Sequence, residues 1–331
     1  MTGVILINFG GPRNGEEIRP FLKDLFKDVL PRPLKFLALI LANLRTPYAK
    51  KMYDAIGSAS PVVGWTIKQA VMLEAKLNTI APPPHPSPSP ARQRVSGGRG
   101  EGKGGGDARY KIYTGMKYGR PSISDAVAEA KEAGCEKIIM LPLFPYQSRY
   151  TSSHLPIFPS PQSWHIHPLY ISVMVDIIRT ALENWKNIPP PDITLLFSVH
   201  AIPLSSAKNE PYVRQIHESC AEIMKSFTGY NYQIAFQSAS GPIRWTRPSV
   251  KTVLKKLSRA PSPSSLLRGE RVILLIPIGF ACENIETLYE IDQIYIPYAK
   301  KIGIQNIART PALNDHPQFI DLLQQLVIEN I

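Results

Sequence analysis

"VILLIPIGFACENIETLYEID", residues Val272 to Asp292, joins two unlike patterns. Its first half is a continuous apolar run without alternation, as a strand buried on both faces of a parallel sheet requires. The run breaks at Gly279. Glu283, Glu286 and Glu290 follow at spacings of three and four, which stacks three carboxylates along one helical face. The helix dipole favours acidic residues in a first turn, and that alone would give a solvated face. Against this, Ile285, Leu288 and Tyr289 make the neighbouring surface apolar. Carboxylates gathered beside apolar surface raise one another's pKa, and they can accept protons or pass a cation.

The same kind of strand recurs along the chain. "GVILINF" (3–9), "KIYTGM" (111–116), "KIIMLPLF" (137–144), "ITLLFSVH" (193–200) and "YQIAFQS" (232–238) are apolar runs bounded by turn residues. Helical patterns intervene at 122–134, 211–227, 248–257 and 316–330. The order strand, helix, strand restarts near residue 190. The expectation is an α/β protein of two Rossmann-like domains, each a parallel four-stranded sheet flanked by helices. Ligands should bind in a cleft between them, at the C-terminal ends of the strands. The expected domains are 1–170 and 190–315, with the C-terminal helix 316–331 packing on the first.

Two segments interrupt this pattern. Residues 81–109 are Pro/Ser-rich and then Gly/Arg-rich, and "RAPSPSSLLRGER" (259–271) echoes them. Neither can build a core, so both are expected to be disordered surface insertions of no catalytic value. They carry +3 and +2 of the chain's net charge of +12. The remaining charge is scattered, without aromatic interleaving or a basic stripe. That excludes nucleic-acid recognition and leaves a weak attraction for anionic substrates or lipid head groups.

At 331 residues the chain can bury a large core. Cys135, Cys220 and Cys282 are too far apart for a disulfide framework or a C-x-x-C site, so a reducing, cytoplasmic setting is expected. "MTGVILINFGGP" lacks a basic n-region and reads as a first strand. The longest apolar run, "FLALILANL" (36–44), is too short to span a bilayer. It is either a core helix or a contact with a membrane surface.

Four further motifs end or follow strands. "LINFGGP" places Gly10 and Gly11 where a ligand or another backbone approaches closely. It is not the dinucleotide fingerprint, and Pro12 removes a donor that a phosphate cradle would use. "LLFSVHAIP" puts His200 at a strand end facing the expected cleft, where imidazole can take a proton or a metal. Parallel strands would bring His200 and Glu286 to the same crevice. "HIH" (165–167) sets two histidines on one strand face without a third ligand nearby, which favours a structural role. Trp245 sits in a Gly/Pro-rich turn, where it suits a flat apolar ligand or anchors a loop.

Taken together, "LINFGGP", "IGSASPVVGWTIKQ", "GMKYGRPSI", "LPLFPYQS", "FSVHAIP", "FQSASGPIRWTRPS" and "PIGFACENIETLYEID" resemble the ferrochelatases in order and spacing over nearly the whole chain. The resemblance implies the chelatase fold and insertion of Fe(II) into protoporphyrin IX with release of two protons. It implies that His200 and Glu286 are the facing pair that handles metal and pyrrole protons. Glu290 would be catalytic beside them, with Glu283 and Glu290 continuing an acidic relay. Phe9, Lys117, Tyr118 and Trp245 match positions around the macrocycle. The stretch Leu34 to Leu44 matches an apolar lip, which implies peripheral contact at the inner face of a membrane. Iron enters as substrate, no cofactor is permanently bound, and no iron–sulfur cluster is expected, since the C-terminus has no cysteine cluster. Porphyrin, ferrous iron and other haem-pathway enzymes are the implied partners.

The chain departs from the family pattern at several positions. Asn284 stands where histidine is common, Lys117 replaces an arginine, and Gln147 takes a tyrosine's place in a reversed "PYQS". Phe9, where the coproporphyrin III branch tends to have tyrosine, favours protoporphyrin IX. The rival readings are a coproporphyrin III ferrochelatase, a cobalt chelatase of the same fold, a non-enzymatic tetrapyrrole carrier and a nucleotide-binding Rossmann protein. A carrier would need neither His200 nor Glu286.

Overall fold

The computed structural model describes residues 1–30, 32–79, 109–152, 160–161, 163–239, 243–259 and 271–331. Its elements are, in order, β1 (Thr2–Gly10), α1 (Ile18–Val29), α2 (Ala38–Asp54), α3 (Val62–Asn78), β2 (Tyr110–Tyr118), α4 (Ile123–Glu132), β3 (Lys137–Pro142), α5 (Arg149–Ser152) and α6 (Pro168–Leu182). The second half follows with β4 (Ile193–His200), α7 (Leu204–Ala207), α8 (Tyr212–Met224), β5 (Asn231–Gln237), α9 (Val250–Arg259), β6 (Val272–Pro277), a π-helix (Glu286–Tyr295), α10 (Ile296–Lys301), β7 (Asn306–Arg309) and α11 (Pro317–Ile328). The expected insertions, apart from Arg109, Arg259 and Arg271, lie outside the described residues.

Two all-parallel sheets carry the fold, ordered β2-β1-β3 and β5-β4-β6-β7. Their central strands are the unalternating runs. β4 is buried at every position except His200, and β6 is buried throughout. Helices cover both faces of such sheets, so the run is mostly apolar, and a polar residue inside it such as Ser198 needs a partner, here Gln237. The second sheet has the four strands expected. The first has three among the described residues. The candidate for a further strand, around "HIH", is instead a turn closed by a hydrogen bond from the His167 N–H to the Trp164 carbonyl (3.1 Å). Trp164 is buried there and donates its indole N–H to the Pro142 carbonyl (3.2 Å), and Pro168 then opens α6. The two histidines therefore share no strand face. His165 meets Glu218 at 2.8 Å, while His167 caps α6.

Local chemistry sets several helix ends. Ser122 and Asp125 form a reciprocal capping box at the start of α4. Gly10 and Gly11 are required by the close approach of the chain itself. A Cβ on Gly10 would run into the Tyr118 carbonyl, and one on Gly11 into Ser60. The last helix, α11, returns to lie against α3, α6 and β3. One core cluster runs through both sheets, from Val4 and Leu6 to Phe197, Ile276 and Phe319. The halves also meet beside the strand ends. There Gln69 Nε2 donates to the carbonyls of Ala281 (2.9 Å) and Asn314 (2.7 Å), and Asn8 Nδ2 lies 3.7 Å from Cys282 Sγ.

The segment "CENIETLYEID" departs from expectation. The helix that bears the carboxylates is a π-helix, with i to i+5 hydrogen bonding instead of i to i+4. Asn284 supports its entry: its Oδ1 accepts the Glu286 N–H at 2.8 Å, and its backbone exchanges hydrogen bonds with the Thr287 hydroxyl at 3.0 Å.

Candidate active site

Parallel strands align their C-terminal ends, and here those ends carry the chemistry. Register pairs His200 with Gln237 on the neighbouring strand, and β6 leads into Glu286. His200 Nδ1 lies 2.9 and 3.0 Å from the two oxygens of Glu286. Glu286 Oε2 also accepts from Gln237 Nε2 (3.0 Å) and from the Ser238 hydroxyl (2.6 Å). Gln237 is itself oriented by Ser198, whose hydroxyl donates to its Oε1 at 2.5 Å. The His200 carbonyl accepts the Tyr212 hydroxyl at 2.9 Å, which anchors the strand end from below.

This arrangement fixes the imidazole. Nδ1 donates to an ionised carboxylate, so Nε2 is the nitrogen left to face a substrate, and 45% of the side chain is exposed. Burial pulls the imidazolium down, but the charge and hydrogen bond of Glu286, with the charge of Glu290, outweigh it. The His200 pKa ends above its ordinary value. For Glu286, burial pushes the pKa up. His200, Ser238 and Gln237 together overcome that, so the carboxyl ends below its usual range.

Glu290 behaves oppositely. Burial, and then the nearby charge of Glu286, push its pKa up to about 7. Ser238 Oγ lies 2.7 Å from Glu290 Oε2 as well as 2.6 Å from Glu286. One hydroxyl has one proton, so it can donate to only one of the two carboxylates. The other contact is satisfied when Glu290 holds a proton, which agrees with its raised pKa. The Tyr295 hydroxyl lies 3.3 Å from the same oxygen.

Glu283, expected on the same face, is not part of this cluster. It precedes the helix, and its Oε1 accepts from Arg309 Nη1 (2.8 Å) and the Ala312 N–H (2.9 Å). The physical reason is the late start of the helix. Glu283 lies in irregular chain before the helix, where the spacing rule for a helical face does not apply.

The candidate macrocycle residues form two groups. Phe9 stacks edge-on against Tyr118, with centroids 4.9 Å apart, in a cluster that also holds Tyr53 and Ile285, the residue before Glu286. Trp245 lines a depression of about 600 Å³ with Leu204, Arg244 and Arg247. It is held next to the His200 loop by backbone bonds from Leu204 N to Arg244 O (2.8 Å) and Thr246 N to Ile202 O (3.0 Å). Lys117 is buried, 3.3 Å from Asp28, and donates to the Tyr150 carbonyl at 2.5 Å. Asp28 also accepts the Tyr118 hydroxyl at 2.5 Å. Burial lowers the Lys117 pKa more than Asp28 restores it. Tyr146, from the reversed "PYQS", is a core residue between Tyr170 and Tyr212, and Gln147 is tied through its N–H to Gln215 (2.8 Å).

The 3-10 helix Arg32–Leu37 and the α2 that follows it leave Leu34, Phe36, Leu39, Ile40, Leu44 and Tyr48 exposed, while Ala38 and Ala42 are buried. Phe36 and Leu44 are 73% and 74% accessible. The run "FLALILANL" is therefore an exposed lip and not a core helix. Among the described residues no helix is long and apolar enough to cross a membrane, and no group of three or more His, Cys, Asp or Glu is arranged to hold a metal.

Comparison with known proteins gives the family. The family model described as Ferrochelatase matches residues 1–86 and 99–331. A ferrochelatase of Gloeothece citriformis (strain PCC 7424) is 34% identical, over all of this chain and 82% of its own length. One from Geotalea uraniireducens (strain Rf4) is 31% identical, over all of this chain and 98% of its own. Among solved structures, SirB from Bacillus subtilis with Fe3+ aligns with a TM-score of 0.53 at 10% identity, covering 99% of this chain and 95% of that one. The sirohydrochlorin chelatase SirB from Bacillus subtilis subspecies spizizenii, in complex with cobalt, gives 0.51 at 10% identity, covering 99% and 94%. At that identity the likeness speaks to the fold alone.

Proposed function

The chain belongs to the ferrochelatase family, and on that premise we propose that His200 and Glu286 are the pair that moves protons and metal. The chain is a metal chelatase that inserts iron into a porphyrin. In reaction class it is a lyase, with Fe(II) and protoporphyrin IX as substrates and protohaem and two protons as products. The observation that carries the reading is the bond from His200 Nδ1 to Glu286 on a side chain that is 45% exposed, which leaves Nε2 as the ring nitrogen for a substrate.

Metallation must remove two pyrrole protons and strip water from the incoming ion. His200 Nε2 takes a proton or touches the metal. Glu286 stabilises the imidazolium that results, and its three donors keep it ionised while it does so. Glu290, poised near neutrality, is a second station for a proton, linked to the first through Ser238. Glu283 is better read as a structural anion than as a relay, because Arg309 engages it. Phe9, Tyr118 and Trp245 supply flat apolar surface for the macrocycle. Lys117 acts behind them through Asp28 and Tyr118. Iron passes through as substrate, and the reading needs no resident cofactor or iron–sulfur cluster.

Phe9 offers no hydroxyl at the cleft, which favours protoporphyrin IX over coproporphyrin III. The exposed apolar lip, with Arg32, Lys35 and Arg45 exposed around it, suits peripheral contact of a cytoplasmic protein with the inner face of an anionic membrane. Enzymes that make the porphyrin or consume the haem are the natural partners. Anaerobic metallation assays with protoporphyrin IX and coproporphyrin III, each with Fe(II) and Co(II), test the proposal in wild type and His200→Ala. Turnover of protoporphyrin IX with Fe(II), lost in the variant, is expected. Preference for coproporphyrin III, or for cobalt, would move the assignment to that rival. Tight binding without metallation would favour a carrier.

A further inference from the structure

Arg309 closes the edge strand β7, paired in register with Leu275 of β6. Its side chain is only 13% exposed. Nε and Nη2 donate to the two oxygens of Asp292 at 2.7 and 2.9 Å, a bidentate fork. Nη1 donates to Glu283 Oε1 at 2.8 Å and to the Thr310 carbonyl at 3.0 Å. Glu283 is held again by the Ala312 N–H on Oε1, and its own N–H donates to Asn314 Oδ1 at 2.9 Å. Its second oxygen is buried without a hydrogen-bond partner among the described residues, so its charge leans on Arg309.

One planar cation thus ties two points of the chain, the residue three places before the π-helix begins at Glu286 and a residue inside it. Glu286 and Glu290 lie between those points. π-helical stretches are rare and mostly confined to single turns, so a ten-residue one is unusual and draws attention to what holds its two ends. Its register decides whether Glu286 meets His200 or slides past it. We infer that Arg309 is a positioning residue for the reaction: it clamps Glu283 and Asp292 so that the intervening π-helix presents Glu286 to His200 and Glu290 to Ser238. It touches no reacting atom. The inference rests on the proposed roles of His200 and Glu286. A lysine would keep the charge but could not make the planar bidentate fork to Asp292 while holding Glu283 in the same geometry.

The test uses Arg309→Lys and Asp292→Asn, which keep more of the buried charge compensated than Arg309→Gln and so favour a folded protein. Turnover with Fe(II) and porphyrin is measured per folded molecule, the folded fraction being fixed by thermal melting. Both variants should lose about 10- to 100-fold in kcat while the porphyrin KM stays within about twofold, as expected when a reacting group is misplaced but the binding surface is intact. A lowered melting temperature with unchanged kcat per folded molecule would overturn the inference and leave Arg309 a stabilising residue only. A second readout does not depend on activity. The ring nitrogen resonances of His200, assigned with His200→Ala, should shift in Arg309→Lys as the bond to Glu286 is lost, and unchanged resonances would also overturn it. If Glu286→Gln metallates porphyrin as well as wild type does, the underlying catalytic reading fails. The His200 resonances alone then decide whether Arg309 positions the pair.

Discussion

Replacing Glu290 by glutamine should stabilise the protein at alkaline pH and leave it unchanged under acid. The folded carboxyl holds its proton up to about pH 7, against an ordinary value of 4.5, because of burial and the adjacent Glu286 charge. Between those values the folded state binds more protons than the unfolded chain, so the stability contributed by this group is full below 4.5 and is lost as pH rises through 7. At about 1.4 kcal/mol per pH unit the window corresponds to about 3 kcal/mol, an upper figure for a group linked to two neighbours. Glutamine mimics the protonated form and does not titrate. Thermal melts of wild type and Glu290→Gln from pH 4.5 to 8 should therefore diverge as pH rises, with the variant melting roughly 5 °C higher at pH 8. A difference that stays constant with pH, or a variant that grows less stable toward pH 8, would refute the argument that Glu290 is held protonated.

Two further outcomes follow from the geometry. Gly10→Ala combines a backbone φ of +89° with a Cβ directed into the Tyr118 carbonyl. It should cost at least about 2 kcal/mol in denaturant unfolding and loosen the Phe9–Tyr118 contact. Trp245→Ala should raise the porphyrin dissociation constant about tenfold, equivalent to about 1.4 kcal/mol of lost stacking, with kcat nearly unchanged, as fluorescence titration and steady-state rates would report.

The parts of this fold legible in the sequence are those with strong local patterns. The β4 run "ITLLFSVH" is a strand over the same residues, because positions covered on both faces favour apolar and small side chains and admit no charge before the strand ends. His200 is legible as a site residue because it is the ionisable residue that ends the run, where a parallel sheet binds ligands. Glu286 and Glu290 were found by spacing, and the same rule misplaced Glu283. Its partner Arg309 is 26 residues away on β7, a four-residue strand too short to show periodicity. No residue pattern announces a π-helix, since its spacing differs little from that of an α-helix over one or two turns. Gln237 and Ser238 were missed because each resembles an ordinary polar strand ending. The signal was the alignment of β5 beside β4, which sets Gln237 opposite His200 once the register is known. Ser238 then takes a φ of +64°, unusual for serine, as it reaches both carboxylates.

The central claim is that His200 and Glu286 act together on porphyrin protons, and Glu286→Gln tests it most directly. The substitution keeps the side chain's shape and the Ser238 contact but removes the charge that supports the imidazolium. Anaerobic Fe(II) insertion into protoporphyrin IX, followed by absorbance, should fall by at least about 100-fold in the variant while porphyrin affinity is retained. A folded Glu286→Gln protein that metallates at the wild-type rate would contradict the account.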